Sequence, residues 1–300
     1  MKLQSALNSR RVGEYGLRLC RALPPKAGYA LADFIAARMA ARKDSALVRA
    51  IRANQWVAQG ERLNADELDR ATSEVLRHTT RAFYLFFHYL EDASWLRDFV
   101  VLDAELAKLN AASQLHQRGL IVLGVHMCYF DVAMISLVHH GLRAVALSLP
   151  QATPMVEWQH ELRRRSGLEI VPASIHNLRL VIHRLQGGGT VATGVDRPMG
   201  EVKCKPEFFG RSSHAPVHYI QLALKAQVPV RMLAPVLEQD GRIHFLISQE
   251  IEMQYYPDRQ EELLCNAQQV LDVAAEYIAR YPQQWGMSWP VWPDVIQQVP

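Results

Sequence analysis

Residues 119–131 read GLIVLGVHMCYFD. Four apolar residues in a row, rich in β-branched and leucine side chains and preceded by a glycine, are of strand length. The run ends on His126, and a helix is expected over 131–140. Outward from this unit the pattern repeats. AVALSL (144–149) is followed by a helical stretch over 154–166, LEIVP (168–172) by a helix over 175–186, and TVATGVD (190–196) closes the series. Short apolar runs alternating with helices predict parallel βαβ units. The clearest of these helices starts at Ser174, a good N-cap. It carries Leu178, Val181, Ile182 and Leu185 on one face and stops at Gly187, Gly188 and Gly189.

Beyond this core, a helix over about 216–226 precedes two strand-like runs, VPVRMLAPVLE and RIHFLISQEIE, joined at Gln239-Asp240-Gly241, where Asp-Gly suits a hairpin. A final helix is expected over about 259–280. On the other side, 28–60 and 65–92 read as two helices, the second patterned by Leu68, Ala71, Val75, Leu76, Phe83, Leu85 and Phe86. The fold class is therefore α/β, with a mixed, largely parallel central sheet flanked by helices and an N-terminal helical region. Residues 1–110 form that region, and 111–300 the core of one continuous domain.

Composition agrees with a folded chain: 49% of the 300 residues are hydrophobic and 21% charged, enough apolar mass for one large core. Cys20, Cys128, Cys204 and Cys265 are scattered without CxxC spacing, which argues against both a disulfide framework and a structural zinc site. No stretch has the length and apolarity of a signal peptide's core or a bilayer span; Asp33 and Arg38 interrupt the most apolar early segment, 27–41. The net charge of +3 conceals an asymmetry. Residues 1–53 hold eleven Lys/Arg against three Asp/Glu, a local charge of +8 that leaves −5 for the rest. With Leu31, Phe34, Ile35 and Met39 as an apolar helical stripe, this end suits an anionic membrane surface, where each basic residue contributes about 1 kcal/mol. An amphipathic helix packed on its own domain has the same periodicity.

His126 and Asp131 are the first chemistry-bearing pair. Five residues apart on a helix they would sit roughly 140° apart, so they meet only if a strand-to-helix turn brings them together. There Asp131, favoured as an anion by the helix N-terminus, is expected to accept Nδ1–H of His126 and leave Nε2 free as a general base. A structural histidine capped by a helical aspartate is the other reading of this spacing. No GxSxG elbow supplies a nucleophile, so the attacking hydroxyl would come from a substrate. Cys128, two residues after the base, is read as a small buried hydrophobe rather than a nucleophile. A metal site is not supported, for there is no HExxH or second ligand cluster.

The segment VLGVHMCYFDVA (122–133) resembles the HX4D motif of the lysophospholipid acyltransferase superfamily, in particular its lipid A and phosphatidylinositol mannoside acyltransferase branch. The resemblance extends in order and spacing from about residue 15 to 292. LCRALPPKAGYALADFIAARMAARKD (19–44) is similar to that branch's membrane-docking start, LRRRSGLEIVP (162–172) to the segment after its first crossover, and GGGTVATGVDRP (187–198) to the stretch holding an Asp-Gln pair. PEFFGRSSHAPVHYIQLALKAQVPVRMLAPV (206–236) and YPQQW (281–285) complete it. The resemblance implies His126 and Asp131 as the catalytic pair and Asp196 as a substrate-site residue. Arg197 stands where the branch has Gln, and AVALSLPQATP lacks the arginine usual after the motif helix. Arg197, Lys205 and Arg164 are therefore expected to bind the substrate's anionic groups, Lys205 among Lys203 and Arg211 around PEFFG, and Arg164 in the run Arg163-Arg164-Arg165. A solvated helix face is the alternative for that run, and an ion pair with Asp196 or Glu201 the alternative for Arg197. Trp285, Trp289 and Trp292 in the tail are read as core.

The implied activity is transfer of a fatty acyl chain from an acyl-CoA or acyl carrier protein thioester to a hydroxyl of a glycolipid or lysophospholipid. It would need no cofactor or metal, would have no nucleic-acid partner, and would take place peripherally at the cytoplasmic face of the inner membrane. A thioesterase using the same base on water, and an inactive lipid-binding relative, are the alternatives.

Overall fold

The computed structural model describes residues 10–116, 118–148, 153–198 and 204–300. It opens with six helices: α1 (Arg10–Ala22), α2 (Pro25–Ala40), α3 (Ala46–Ala58), α4 (Ala65–Tyr89), α5 (Ala93–Phe99) and α6 (Ala104–Leu115). The single helix expected over 28–60 is two, because the chain turns at 41–45 and Ser45 caps α3 by accepting from the Val48 amide. Helix α4 begins on a capping box, with the Asn64 side chain accepting from the Glu67 amide and the Glu67 carboxylate from the Asn64 amide. Such caps contribute about 1 kcal/mol each.

The apolar stripe assigned to α2 is divided, with Met39 packed against Val48, Ile51, Val75 and Leu76 but Phe34 and Ile35 turned away. Gly28, Ala32 and Ala36 are buried, while Phe34 and Ile35 are 63% and 42% exposed. Small side chains spaced by four residues let α2 approach α4 so closely that a Cβ at Gly28 would lie 2.1 Å from the Tyr84 ring. The tight contact consumes the small residues and turns Phe34 and Ile35 outward.

After α6 the chain alternates as expected: β1 (Leu120–Gly124), α7 (Phe130–His139), β2 (Ala144–Ser148), α8 (Pro154–Arg165), β3 (Glu169–Pro172), α9 (Ile175–Gln186) and β4 (Thr190–Gly194). A small hairpin, β5 (Glu207–Phe208) and β6 (Arg211–Ser212), follows. Then come α10 (His218–Ala226), β7 (Val230–Leu237), β8 (Ile243–Ile247) and α11 (Arg259–Arg280). The main sheet has the order β3-β2-β4-β1-β7-β8, parallel except for the antiparallel pair β7–β8. This is the mixed, largely parallel sheet flanked by helices that the sequence predicts. The β7–β8 turn falls on the expected residues, and Gly241, at φ +76°, supplies the left-handed position.

Alternation along β1 splits the core. Ile121 and Leu123 face a cluster with Val181 and Leu185 of α9, Tyr219 and Ile220 of α10, Val270 and Leu271 of α11, and Trp285 and Trp292 of the tail. Leu120 and Val122 face a second cluster that includes Leu85 and Phe86 of α4, Val132 and Ile135 of α7, and Trp158 of α8. Helix α4 with α7 and α8 thus covers one face of the sheet, and α9–α11 with the tail and the Ala53, Val57 and Ala58 side of α3 cover the other. Among the described residues no helix is long and apolar enough to cross a membrane.

Candidate active site

The site forms where β1 and β4, hydrogen-bonded neighbours in parallel, deliver their carboxyl ends side by side, the position at which α/β sheets gather ligands. Strand β1 stops at Gly124, so His126 lies not at its end but in the connection to α7. Two residues beyond β4 stands Asp196, fully buried. Its Oδ1 lies 2.5 Å from His126 Nδ1, and its Oδ2 accepts both the His126 backbone N–H and the Trp285 indole N–H, each at 2.8 Å. A Cβ at Gly194 would stand 3.1 Å from His126 Cε1, so β4 must pass the imidazole without a side chain there.

Burial by itself would push the Asp196 carboxyl up. The positive charge available on His126 and the hydrogen bonds from His126 and Trp285 outweigh it and hold the group below the ordinary carboxylate value. An ionised Asp196 accepting from Nδ1–H fixes the tautomer in which Nε2 carries the lone pair. The imidazole is 25% exposed, and among the described residues nothing is hydrogen-bonded to Nε2. The arrangement can take a proton from a hydroxyl that approaches Nε2.

Asp131, expected to orient His126, does not meet it in this structure. Asp131, in the first turn of α7, is bound in a fork by Arg163 of α8, with Nε at 2.7 Å from one oxygen and Nη2 at 3.0 Å from the other. Both side chains are largely buried, 13% and 11% exposed. Phe130 separates this pair from the imidazole: its ring lies 5.6 Å from the His126 ring, and the Arg163 guanidinium stands 5.9 Å over it. A bidentate, desolvated Arg–carboxylate pair satisfies Asp131 completely, so it ties α7 to α8 and leaves Nδ1 to the carboxylate arriving from β4. Spacing along the chain carried no sign of that long-range partner, and Arg163 was indistinguishable from its two neighbouring arginines.

The remaining expected residues are more dispersed. Arg197, adjacent to Asp196, stacks on the exposed Trp289 ring at 3.7 Å rather than pairing with Asp196, and burial lowers its proton affinity. Glu201 and Lys203 lie outside the described residues, as do residues 149–152 of AVALSLPQATP. Arg164 binds Glu157 at 2.8 Å and the Ile170 carbonyl, within its own crossover. Lys205 is exposed just before β5, whose Phe208 packs against Trp285. Arg211 pairs with Glu61. Cys128 turns its Sγ toward Thr79 Oγ1 and the Val75 carbonyl of α4, and burial pushes the thiol up to about 12, the condition of an inert cysteine. Trp285 and Trp292 are core, as read from sequence; Trp289 is 42% exposed. Among the described residues no group of three His, Cys, Asp or Glu side chains is arranged to hold a metal.

A search of curated proteins returns no match. Residues 10–292, nearly the whole chain and every element around His126 and Asp196, match the family described as bacterial lipid A biosynthesis acyltransferase, and this protein belongs to that family of acyltransferases acting on lipids.

Proposed function

We propose that the protein transfers a fatty acyl chain from an acyl-CoA or acyl carrier protein thioester to a hydroxyl of a glycolipid or lysophospholipid acceptor, with His126 as general base oriented by Asp196. The observation that carries the proposal is the buried Asp196 carboxylate 2.5 Å from Nδ1, which commits one ring nitrogen and leaves the other for chemistry. Nε2 takes the proton of the acceptor hydroxyl as its oxygen attacks the thioester carbonyl. A C–O bond forms, the tetrahedral intermediate collapses with cleavage of the C–S bond, and the departing sulfur receives the proton from Nε2–H. The imidazolium formed midway is stabilised by Asp196, and His126 ends the cycle neutral.

Asp131 acts in this scheme as a positioning residue, holding with Arg163 the helix that begins four residues after the base. Arg197, half-buried and flattened on Trp289, and Lys205 present cationic groups for the phosphates of donor or acceptor; guanidinium stacked on an indole keeps its in-plane donors available. The +8 charge of residues 1–53, together with exposed Tyr15 and Leu19 on α1 and Phe34 and Ile35 on α2, supports peripheral attachment to the anionic cytoplasmic face of the inner membrane.

Mass spectrometry of membrane lipid extract incubated with isotopically labelled acyl-CoA or acyl carrier protein tests the proposal, comparing wild type with His126→Ala. A lipid heavier by one acyl chain, absent with the variant, supports it and identifies the acceptor. Labelled free fatty acid without a new lipid would instead identify a thioesterase.

A further inference from the structure

The C-terminal segment Gln284-Trp285-Gly286 runs beside the loop that carries the base. The Cys128 N–H donates to the Gln284 carbonyl at 2.7 Å and the Gly286 N–H to the His126 carbonyl at 2.8 Å, with Met127 and Trp285 paired as an isolated antiparallel bridge. A Cβ at Gly286 would stand 3.1 Å from Cys128 Sγ, so the two backbones are in close contact. The segment is clamped from behind. Gln284 exchanges two hydrogen bonds with the Leu237 backbone at the end of β7, both 2.8 Å. From α3, Gln55 donates to the Pro282 carbonyl, and Asn54 bonds Met287, Trp289 and Val291. Backbone pairing of this kind fixes where the Trp285 side chain enters, and its indole N–H meets Asp196 Oδ2 at 2.8 Å.

We infer that Trp285 is a positioning residue of the catalytic pair, holding the Asp196 carboxylate in the rotamer and charge state that orient His126. A tryptophan that served only to fill the core would not need its N–H directed at a buried carboxylate. The same core supplies the contrast: Trp292, equally buried and 6.4 Å from Trp285 between ring centres, packs on Phe208, and its Nε1 has no hydrogen-bond partner among the described residues. Among the described residues, two donors on Oδ2 and one on Oδ1 make up the Asp196 shell. Without the indole, the negative charge is less dispersed, the imidazolium is bound more strongly, and the carboxylate is less firmly fixed in rotation. Among the described residues the charged and titratable groups around the pair are few. Arg197 follows Asp196, the Asp131–Arg163 ion pair lies beyond Phe130, and Cys128 and Tyr129 of the loop face Thr79 and His78 of α4. From α10, His218 reaches Thr193 of β4.

This inference rests on His126 and Asp196 as the base pair, and its test separates the two. Trp285→Phe keeps an aromatic ring in the cluster and removes the N–H; Trp292→Phe alters the same core without touching Asp196. Steady-state rates across pH on the full chain, with thermal unfolding as a check on folding, are compared with His126→Ala. For Trp285→Phe, kcat falls about tenfold at unchanged KM and the acidic limb moves up by about one pH unit, the lower end of the scale of one hydrogen bond to a charged group. Trp292→Phe leaves the limb in place. An unmoved limb in Trp285→Phe, or an equal shift in both variants, overturns the inference while an inactive His126→Ala keeps the base assignment. A fully active His126→Ala overturns both.

Discussion

Asp196→Asn and Asp131→Asn change one atom each in two buried carboxylates, and the structure assigns them different consequences. Asp196 accepts three N–H donors, two on Oδ2 and one on Oδ1. In Asp196→Asn the amide oxygen goes to the Oδ2 side, because the opposite flip would leave the His126 backbone N–H and the Trp285 N–H facing an NH2 group, at about 1–3 kcal/mol for each unsatisfied donor. The NH2 group then faces Nδ1, which must accept, and the ring proton moves to Nε2. A base with its proton on the wrong nitrogen cannot take another. The expected loss in kcat is about 10³- to 10⁴-fold, the scale known for an orienting Asp→Asn change in another enzyme class, with the fold retained. Asp131→Asn instead leaves the Arg163 charge without its counter-ion in a site where the two side chains are 13% and 11% exposed, a loss of roughly 3 kcal/mol in stability with kcat reduced by less than about tenfold. Initial rates with saturating thioester, paired with urea unfolding of each variant, separate the two. An Asp131→Asn protein that loses as much kcat as Asp196→Asn at undiminished stability would refute the assignment of Asp196 as the orienting carboxylate.

Three further outcomes follow from the same physics. Cys128→Ser leaves kcat within about threefold of wild type, since a thiol pushed up to about 12 and turned toward α4 takes no part in the reaction; a loss comparable to that of His126→Ala would refute this. His78 is held neutral: burial first, then Arg77 and Arg81, lower it from 6.5 to about 4. Between those values the unfolded chain binds a proton that the folded chain does not, so stability falls as pH drops from about 6.5 to 4, by up to roughly 3 kcal/mol. His78→Gln should flatten that slope in urea unfolding at about pH 7 and about pH 5, and equal slopes for both proteins would contradict it. Replacing exposed Phe34 and Ile35 with Ser should weaken binding to anionic vesicles by about tenfold or more without lowering the unfolding temperature; unchanged sedimentation with vesicles would remove α2 from the membrane face.

The elements of the α/β core and their order were legible in the sequence alone, whereas α1, α5, α6 and the β5–β6 hairpin were not, and α2 and α3 read as one helix. Apolar runs of strand length alternating with 3.6-residue periodicity located β1–β4 and α7–α9, Asp-Gly located the β7–β8 turn, and Ser174 the start of α9. Each is a local signal, carried by residues within a few positions of one another. The motif also located His126. Long-range packing set what locality cannot: that α2 packs through Gly28, Ala32 and Ala36 and turns Phe34 outward, that Arg163 rather than Arg164 closes on Asp131, and that Asp196, 70 residues away in sequence, supplies the carboxylate at Nδ1. The physical reason is the parallel pairing of β1 with β4, which places their carboxyl ends side by side. A single buried carboxylate then collects every donor that converges there, including the indole of Trp285 from the end of the chain.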